Sequence, residues 1–156
     1  ASYQGVGRRF EIVGEAADVT VIDDYAHHPT EVRATLAAAR SRYPGRRIVA
    51  VFQPHTYSRA ALYRREFATA LSDADLAVVT DIYAAREPDT GIVHARDIAG
   101  AVAGGRGIYG GDLETTVALV MERIQPGDVV LTLGAGDITT VGPAVLHLLA
   151  SRAVVR

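Results

Sequence analysis

Short apolar runs alternate with helical patterns along most of this chain. The runs at residues 48–52 (IVAVF), 76–80 (LAVVT) and 129–133 (VVLTL) are almost continuously apolar, which is typical of parallel strands covered on both faces. Predicted helices cover residues 29–42, 57–71, 95–103 and 113–124. A strand at residues 107–109 and a final helix, with Val141, Val145, Leu148 and Leu149 facing inward, complete the pattern. This alternation predicts an α/β fold with a doubly wound, mostly parallel sheet.

The N-terminal part departs from this alternation. Residues 1–7 look like a lead-in, residues 8–13 alternate like a strand, and residues 14–18 (GEAAD) look like a turn before the apolar run 19–22. Two strands this close in sequence predict a hairpin, so the first strand is expected to be antiparallel to its neighbour. We therefore expect one domain over residues 1–156, whose sheet has an antiparallel N-terminal strand.

Composition excludes several classes of function. A formal net charge of −2 gives no basic surface for nucleic acid or for an anionic membrane. The sequence shows neither an apolar stretch long enough to span a membrane nor a signal peptide. Because there is no cysteine, disulfides and cysteine-ligated metals are ruled out, which is typical of a cytoplasmic protein.

All 16 basic residues are arginine. A P-loop needs a lysine that reaches the β- and γ-phosphates of a nucleotide, so this chain contains no P-loop. If the chain handles ATP, it must do so together with another ATP-binding unit. The sequence begins at Ala1 rather than at methionine, and we expect it to be a piece of a longer protein.

The richest group of chemical side chains follows the apolar run 19–22. In the segment 23–31 (DDYAHHPTE), the residues before Pro29 supply two carboxylates, a phenol and two imidazoles. Pro29 suits the first turn of a helix, and Glu31 places a negative charge where the helix dipole favours it. In open α/β folds, ligands bind beyond the carboxyl ends of the strands. This segment is therefore a candidate site, although a solvated polar loop would look the same.

A second polar loop, residues 53–59 (QPHTYSR), follows a buried strand and starts a helix. Helix N-termini favour anions, and an arginine can bind a carboxylate or phosphate through two hydrogen bonds. A helix cap at Thr56 or Ser58 with a solvated Arg59 is the alternative.

Two further loops carry weaker signals. Residues 81–87 (DIYAARE) are more typical of a surface feature. Residues 134–137 (GAGD) permit close approach of the backbone to a ligand, but Thr139 occupies the third glycine position of the dinucleotide fingerprint. A nicotinamide cofactor is therefore poorly supported.

The five histidines do not predict a metal site. His27 and His28 are adjacent in sequence, so their side chains diverge, and the spacing does not require His55 to join them. His94 and His147 are expected to be structural or exposed. Arg8 and Arg9 could hold a phosphate, but the residues alone favour solvation.

Five segments together resemble the C-terminal domain of the Mur ligase family. They are residues 5–11 (GVGRRFE), 23–31, 52–59 (FQPHTYSR), 81–87 and 134–138 (GAGDI), and they occur in order over nearly the whole chain. The resemblance implies a Rossmann-like domain, the third of three, after a UDP-sugar-binding domain and a P-loop ATPase domain. It also implies amide formation driven by ATP through an acyl phosphate.

Within the family, the chain most resembles members that join L-alanine to UDP-N-acetylmuramate. The implied partners are ATP with Mg²⁺, held mainly by the central domain, UDP-N-acetylmuramate, L-alanine, and the two other domains. A family member that attaches a recycled tripeptide shares a segment similar to residues 23–29, whereas the loop 53–59 favours the alanine-adding members. A nucleotide- or anion-binding module without catalysis is the alternative from another class.

The resemblance also implies roles for single residues. Arg9 would approach the ATP phosphates, which overturns the solvated interpretation, and Asp24 would accept hydrogen bonds from the ribose. Residues lining the nucleotide and amino-acid sides of the cleft would be Tyr25, His27 and His28. L-alanine would be bound by His55, Tyr57 and Arg59, with Arg59 on its carboxylate. The catalytic assignments are Arg9, His28 and Arg59; Thr56 is left out because many relatives carry arginine there.

Overall fold

A computed structural model describes residues 9–155, so the predictions for residues 1–8 lie outside the described part. Within that part, the strands are β1 (Glu11–Ala16), β2 (Val19–Asp24), β3 (Ile48–Phe52), β4 (Leu76–Thr80), β5 (Gly107–Gly111) and β6 (Val129–Leu133). The α-helices are α1 (Pro29–Arg42), α2 (Tyr57–Leu62), α3 (Arg64–Leu71), α4 (Ala95–Ala101), α5 (Leu113–Arg123) and α6 (Val141–Val155).

The strands form one sheet in the order β1-β2-β6-β3-β4-β5. Only β1 is antiparallel to its neighbour among the described strands, and β2 to β6 run parallel. The predicted α/β class, with a mostly parallel sheet and an antiparallel N-terminal strand, is confirmed. Because β6 is inserted between β2 and β3, the strand order reverses there, and ligands bind at the carboxyl edge of such a reversal.

Strand β3 shows how the sheet is covered on both faces. All five of its residues are buried. Ile48, Ala50 and Phe52 belong to the apolar cluster under α1, α3 and α4, whereas Val49 and Val51 belong to the cluster under α5 and α6. This burial explains why the sequence of a central parallel strand is apolar throughout.

The N-terminal hairpin is antiparallel as expected, but its bounds differ from the prediction. Strand β1 runs from Glu11 to Ala16, so Gly14 lies inside it, at an irregularity in the register. Gly14 packs closely on α6, because a Cβ there would lie 3.0 Å from Leu146. The turn consists of Ala17 and Asp18 alone, at φ values of 51° and 64°. Two left-handed residues match the twist of a hairpin, so a five-residue turn is unnecessary.

Two other boundaries also shift, and one side chain predicted to face inward does not. The predicted helix at residues 57–71 divides at Tyr63 into α2 and α3. Helix α4 ends at Ala101 and a 3₁₀ turn, Ala103–Gly105, follows it. Leu148 was expected to face inward but is 40% exposed, since the buried stripe of α6 falls on Val141, Val145 and Leu149. No helix within residues 9–155 is both long and apolar enough to cross a membrane.

Candidate functional site

Aromatic rings from three loops line up beyond the carboxyl ends of the strands. The ring centroids of Tyr25 and His27 are 5.0 Å apart, and those of His27 and His55 are 6.1 Å apart. Tyr83 continues the series, with its ring stacked on His55 at 5.4 Å. We call these four residues the aromatic row. It joins the loop after β2 to the loops after β3 and β4, although β6 separates β2 from β3 in the sheet.

Asp24 is the buried anchor of the loop after β2. Asp24 is only 3% exposed. One carboxylate oxygen accepts the Ala26 N–H and the other accepts the Phe10 N–H, each at 2.8 Å. These bonds fix the turn that presents Tyr25 and draw residues 9 and 10 to the site. In this structure Asp24 therefore orders the backbone.

Arg9 lies beside this loop and pairs with Glu31. The Arg9 Nη2 is 2.9 Å from the Glu31 Oε2, and the pair is partly exposed. The other oxygen of Glu31 accepts the backbone N–H groups of His27 and His28, at 3.3 and 3.2 Å. Burial acts to raise the pKa of Glu31, but the bonds from Arg9 and His27 outweigh it and lower that pKa. The hydrogen bond to Glu31 also raises the pKa of Arg9.

The two adjacent histidines have different roles in the local structure. His28 is the N-cap of α1: its Nδ1 accepts the Thr30 N–H at 3.3 Å, and its ring packs edge-on against Tyr63. Because Nδ1 accepts, the proton of a neutral His28 resides on Nε2. The His27 Nδ1 lies 3.0 Å from the Tyr25 carbonyl oxygen. Thus His27 belongs to the aromatic row, whereas His28 faces α3.

His55 is held in place by the loop after β4. Tyr83 donates its N–H to the Pro54 carbonyl at 2.8 Å and accepts the Thr56 N–H at 2.7 Å, so the two loops form a short parallel bridge. Burial lowers the pKa of His55, and the electrostatic effects of Arg59 and His27 lower it further against the opposing effect of Glu87. The His55 Nδ1 is buried, and none of the groups in residues 9–155 hydrogen-bonds to it.

The start of α2 carries the guanidinium of Arg59. Thr56 caps this helix by accepting the Arg59 N–H at 3.3 Å, from a left-handed φ of 65°. Glu87 accepts both the N–H and the hydroxyl of Ser58, so the loop 81–87 is tied to the site and is more than the surface feature that we expected. Among residues 9–155, no group hydrogen-bonds to the half-buried Arg59 guanidinium.

The glycine loop after β6 is occupied by the protein's own side chains. A Cβ at Gly136 would lie 2.6 Å from the Gln53 Oε1 and 2.7 Å from the Tyr83 ring. Gln53 also donates to the Asp137 carboxylate at 2.7 Å. The close approach that we predicted for a ligand is therefore made by Gln53 and Tyr83. Neither residue was singled out from the sequence, because both contacts join segments about 80 residues or about 50 residues apart in the chain.

The aromatic row and Arg59 form an open surface beside small cavities, and we call this surface the shelf. One cavity of about 220 Å³ is lined by Gln53, Asp81, Tyr83 and Asp137, among others. Tyr57 lines another of about 230 Å³, next to His94. A larger groove of about 480 Å³ lies at the opposite edge of the sheet, between Ala17, Ile124 and Leu149. That groove is mostly apolar, so the titratable chemistry lies on the shelf.

These features define an α/β domain with a candidate ligand site at the carboxyl edge of its parallel strands. Residues 8–136 match the sequence pattern of the family described as "Mur ligase, glutamate ligase domain". The chain therefore belongs to the Mur ligase family. The UDP-N-acetylmuramate–L-alanine ligase of Cutibacterium acnes is 50% identical over 98% of this chain and 33% of its own length. The ligase of the same name from Anaeromyxobacter dehalogenans is 50% identical over 95% of this chain. The chain spans about a third of the length of these relatives.

Solved structures have the same fold. The UDP-N-acetylmuramate–alanine ligase of Thermotoga maritima superposes with a TM-score of 0.76 at 30% identity, over 93% of this chain and 30% of that one. A domain from a putative UDP-N-acetylmuramate:L-alanyl-γ-D-glutamyl-diaminopimelate ligase of Haemophilus ducreyi gives a TM-score of 0.70 at 27% identity, over 91% of this chain and all of that one. The resemblance to the Mur ligase family is thus confirmed.

Proposed function

We propose that this chain is the third domain of a cytoplasmic ligase that joins L-alanine to UDP-N-acetylmuramate in peptidoglycan synthesis. The observation that carries the proposal is the open shelf where Arg59 and the aromatic row meet. The sequence of the chain is also 50% identical to that of a ligase of this name. An open shelf suits a domain that closes over ligands held by its neighbours. The UDP-sugar and P-loop ATPase domains would then be the rest of the parent protein.

The proposed reaction has two steps. The muramate carboxylate attacks the γ-phosphorus of ATP, which yields an acyl phosphate and ADP. The amine of L-alanine then attacks the acyl carbon, an amide bond forms, and inorganic phosphate leaves with the electron pair of the broken C–O bond. Phosphoryl transfer depends mainly on positioning and on neutralising the oxygens that carry charge. A domain without a lysine can contribute both through arginine.

On the nucleotide side, Arg9 would contact the ATP phosphates. Its single bond to Glu31 uses one of the five N–H donors of a guanidinium, so the others can serve a phosphate. Tyr25 and His27 offer ring surfaces beside it. Asp24 would meet the ribose through the lone pairs that its two backbone bonds leave unused. The described residues contain no cluster of three or more metal ligands, so we assign Mg²⁺ to the central domain.

On the amino-acid side, Arg59 would bind the carboxylate of L-alanine through two hydrogen bonds. His55 lies close enough to feel the charge of Arg59, and its lowered pKa favours the neutral imidazole, which can accept a proton from an ammonium group. Tyr57 would close this end of the shelf, and His28, directed toward Tyr63, would hold the first turn of α1 in place.

The test is turnover by the full-length ligase that carries this domain. With ATP, Mg²⁺ and UDP-N-acetylmuramate present, we expect phosphate release that depends on L-alanine, and none from the isolated chain. Dependence on the L-alanyl-γ-D-glutamyl-diaminopimelate tripeptide would assign the domain to the recycling ligase instead, a candidate supported by the Haemophilus ducreyi structure. If neither L-alanine nor the tripeptide leads to phosphate release, a nucleotide-binding module would be favoured.

A further inference from the structure

Two helices of this fold begin with the same cap. In α1, the N-cap His28 accepts the Thr30 N–H, and Glu31 accepts the His28 N–H in return. In α4, the N-cap His94 accepts the Arg96 N–H, and Asp97 accepts the His94 N–H. Each cap satisfies backbone donors that a helix leaves unpaired at its start. Capping therefore requires only a histidine and an acidic side chain three residues later.

Glu31 makes contacts that this cap does not require. Its second oxygen holds the Arg9 guanidinium at 2.9 Å, and its first oxygen also accepts the His27 N–H and lies 3.6 Å from the His27 Nδ1. Asp97 has no basic side chain within salt-bridge distance among residues 9–155. The difference between the two caps thus isolates what Glu31 adds: contacts with two residues of the nucleotide side.

The position of Arg9 depends on this contact. Its side chain is 45% exposed, and a long exposed arginine samples many rotamers unless a partner fixes it. The Phe10 N–H is fixed by Asp24, so the backbone is anchored next to Arg9 while the side chain is anchored by Glu31. The bond to Glu31 uses the Nη2 end of the guanidinium, and within the described part of the chain the remaining donors stay available to an anion.

We propose that Glu31 is a positioning residue, which orients Arg9 toward the nucleotide phosphates and fixes the backbone of His27 beside it. The inference rests on the proposed contact of Arg9 with ATP. Glu31 does not touch the reacting atoms. It acts through Arg9, whose guanidinium bridges the Glu31 carboxylate and a phosphate oxygen when nucleotide is bound.

The test is the Glu31→Gln variant of the full-length ligase. Glutamine at this position still completes the cap but removes the charge that holds Arg9. Because exposed ion pairs contribute modestly, kcat/KM for ATP should fall about threefold to fivefold, while KM for L-alanine and the melting temperature stay near wild type. Asp97→Asn is the matched control, since it alters the same cap on α4, and it should leave kcat/KM for ATP unchanged.

A double-mutant cycle shows whether the effect passes through Arg9. In an Arg9→Ala background, Glu31→Gln should change kcat/KM for ATP by less than a factor of two, because the partner that it positions is gone. Full additivity of the two losses would overturn the proposal, as would wild-type kinetics in Glu31→Gln. A lower KM for ATP in that variant would also overturn it, since Glu31 would then compete with the nucleotide. Wild-type kinetics in Arg9→Ala would instead refute the proposed function of Arg9.

Discussion

The rings of His55 and Tyr83 stack at a centroid distance of 5.4 Å, and the backbones of the same two residues form a parallel bridge. The bridge continues the pairing of β3 with β4 past the ends of both strands. His55 is thus held by its main chain and by its ring. A residue of the loop after β4 thereby sets the orientation of an imidazole in the loop after β3, directly in front of His27.

Replacement of Tyr83 by alanine should weaken binding of the amino acid. The backbone bridge can persist, but the stacked ring is lost, and such ring pairs contribute about 0.5–1.5 kcal/mol. KM for L-alanine in the full-length ligase should therefore rise about twofold to tenfold, with kcat changed less. Tyr83→Phe keeps the ring and serves as the control. If Tyr83→Ala and Tyr83→Phe have the same KM for L-alanine, stacking does not position His55.

Gly136 should not tolerate a side chain. A Cβ would lie 2.7 Å from the Tyr83 ring and 2.6 Å from the Gln53 Oε1, so Gly136→Ala must displace one of them, and overpacking of this kind costs about 1–3 kcal/mol. We expect a lower melting temperature by thermal unfolding. Gly100→Ala is the control, because a Cβ there meets nothing within 4 Å and helix propensity favours alanine. A Gly136→Ala variant as stable as wild type would contradict the packing described.

The fold was predictable because short segments of the sequence are enough to indicate its strands and helices. Central strands such as β3 are apolar throughout, and Pro29 begins a helix, so neither conclusion needs information from elsewhere in the chain. The hairpin was placed correctly and its turn was not. Ala17 adopts a left-handed conformation that alanine does not favour, while Gly14, which looks like a turn residue, serves a contact with α6.

The candidate site was only partly predictable. The loops after β2 and β3 were recognisable from their titratable side chains. Contacts between distant segments were not, and these decide how Glu31, Gln53 and Tyr83 take part. Glu31 shows the difficulty most clearly: the sequence indicates a favourable charge in the first turn of α1, but its bond to Arg9 depends on the hairpin that returns residue 9 to the same edge.

Arg59 should determine affinity for the amino-acid carboxylate. Its guanidinium has no hydrogen-bond partner among residues 9–155, so a bound carboxylate would supply one. Arg59→Gln should raise KM for L-alanine in the full-length ligase about tenfold or more, because charge-assisted bidentate pairs are among the stronger hydrogen bonds. Arg59→Lys should restore affinity only in part, since lysine lacks the planar fork. Arg64→Gln, at an exposed arginine of α3, is the control, and an unchanged KM in Arg59→Gln would refute the assignment.

The lowered pKa of His55 predicts a dependence of stability on pH. Burial and the nearby positive charges disfavour the imidazolium in the folded chain, so below the ordinary value of 6.5 the unfolded chain binds more protons at this position. The contribution of the neutral His55 to the free energy of unfolding is complete above pH 6.5. It is lost as the pH falls through the lowered pKa of the folded chain. Melting temperatures measured from pH 8 to about pH 5 should fall less steeply for His55→Gln than for wild type. Identical slopes would show that His55 is not desolvated in the folded chain, and the neutral imidazole proposed for the amino-acid side would lose its support.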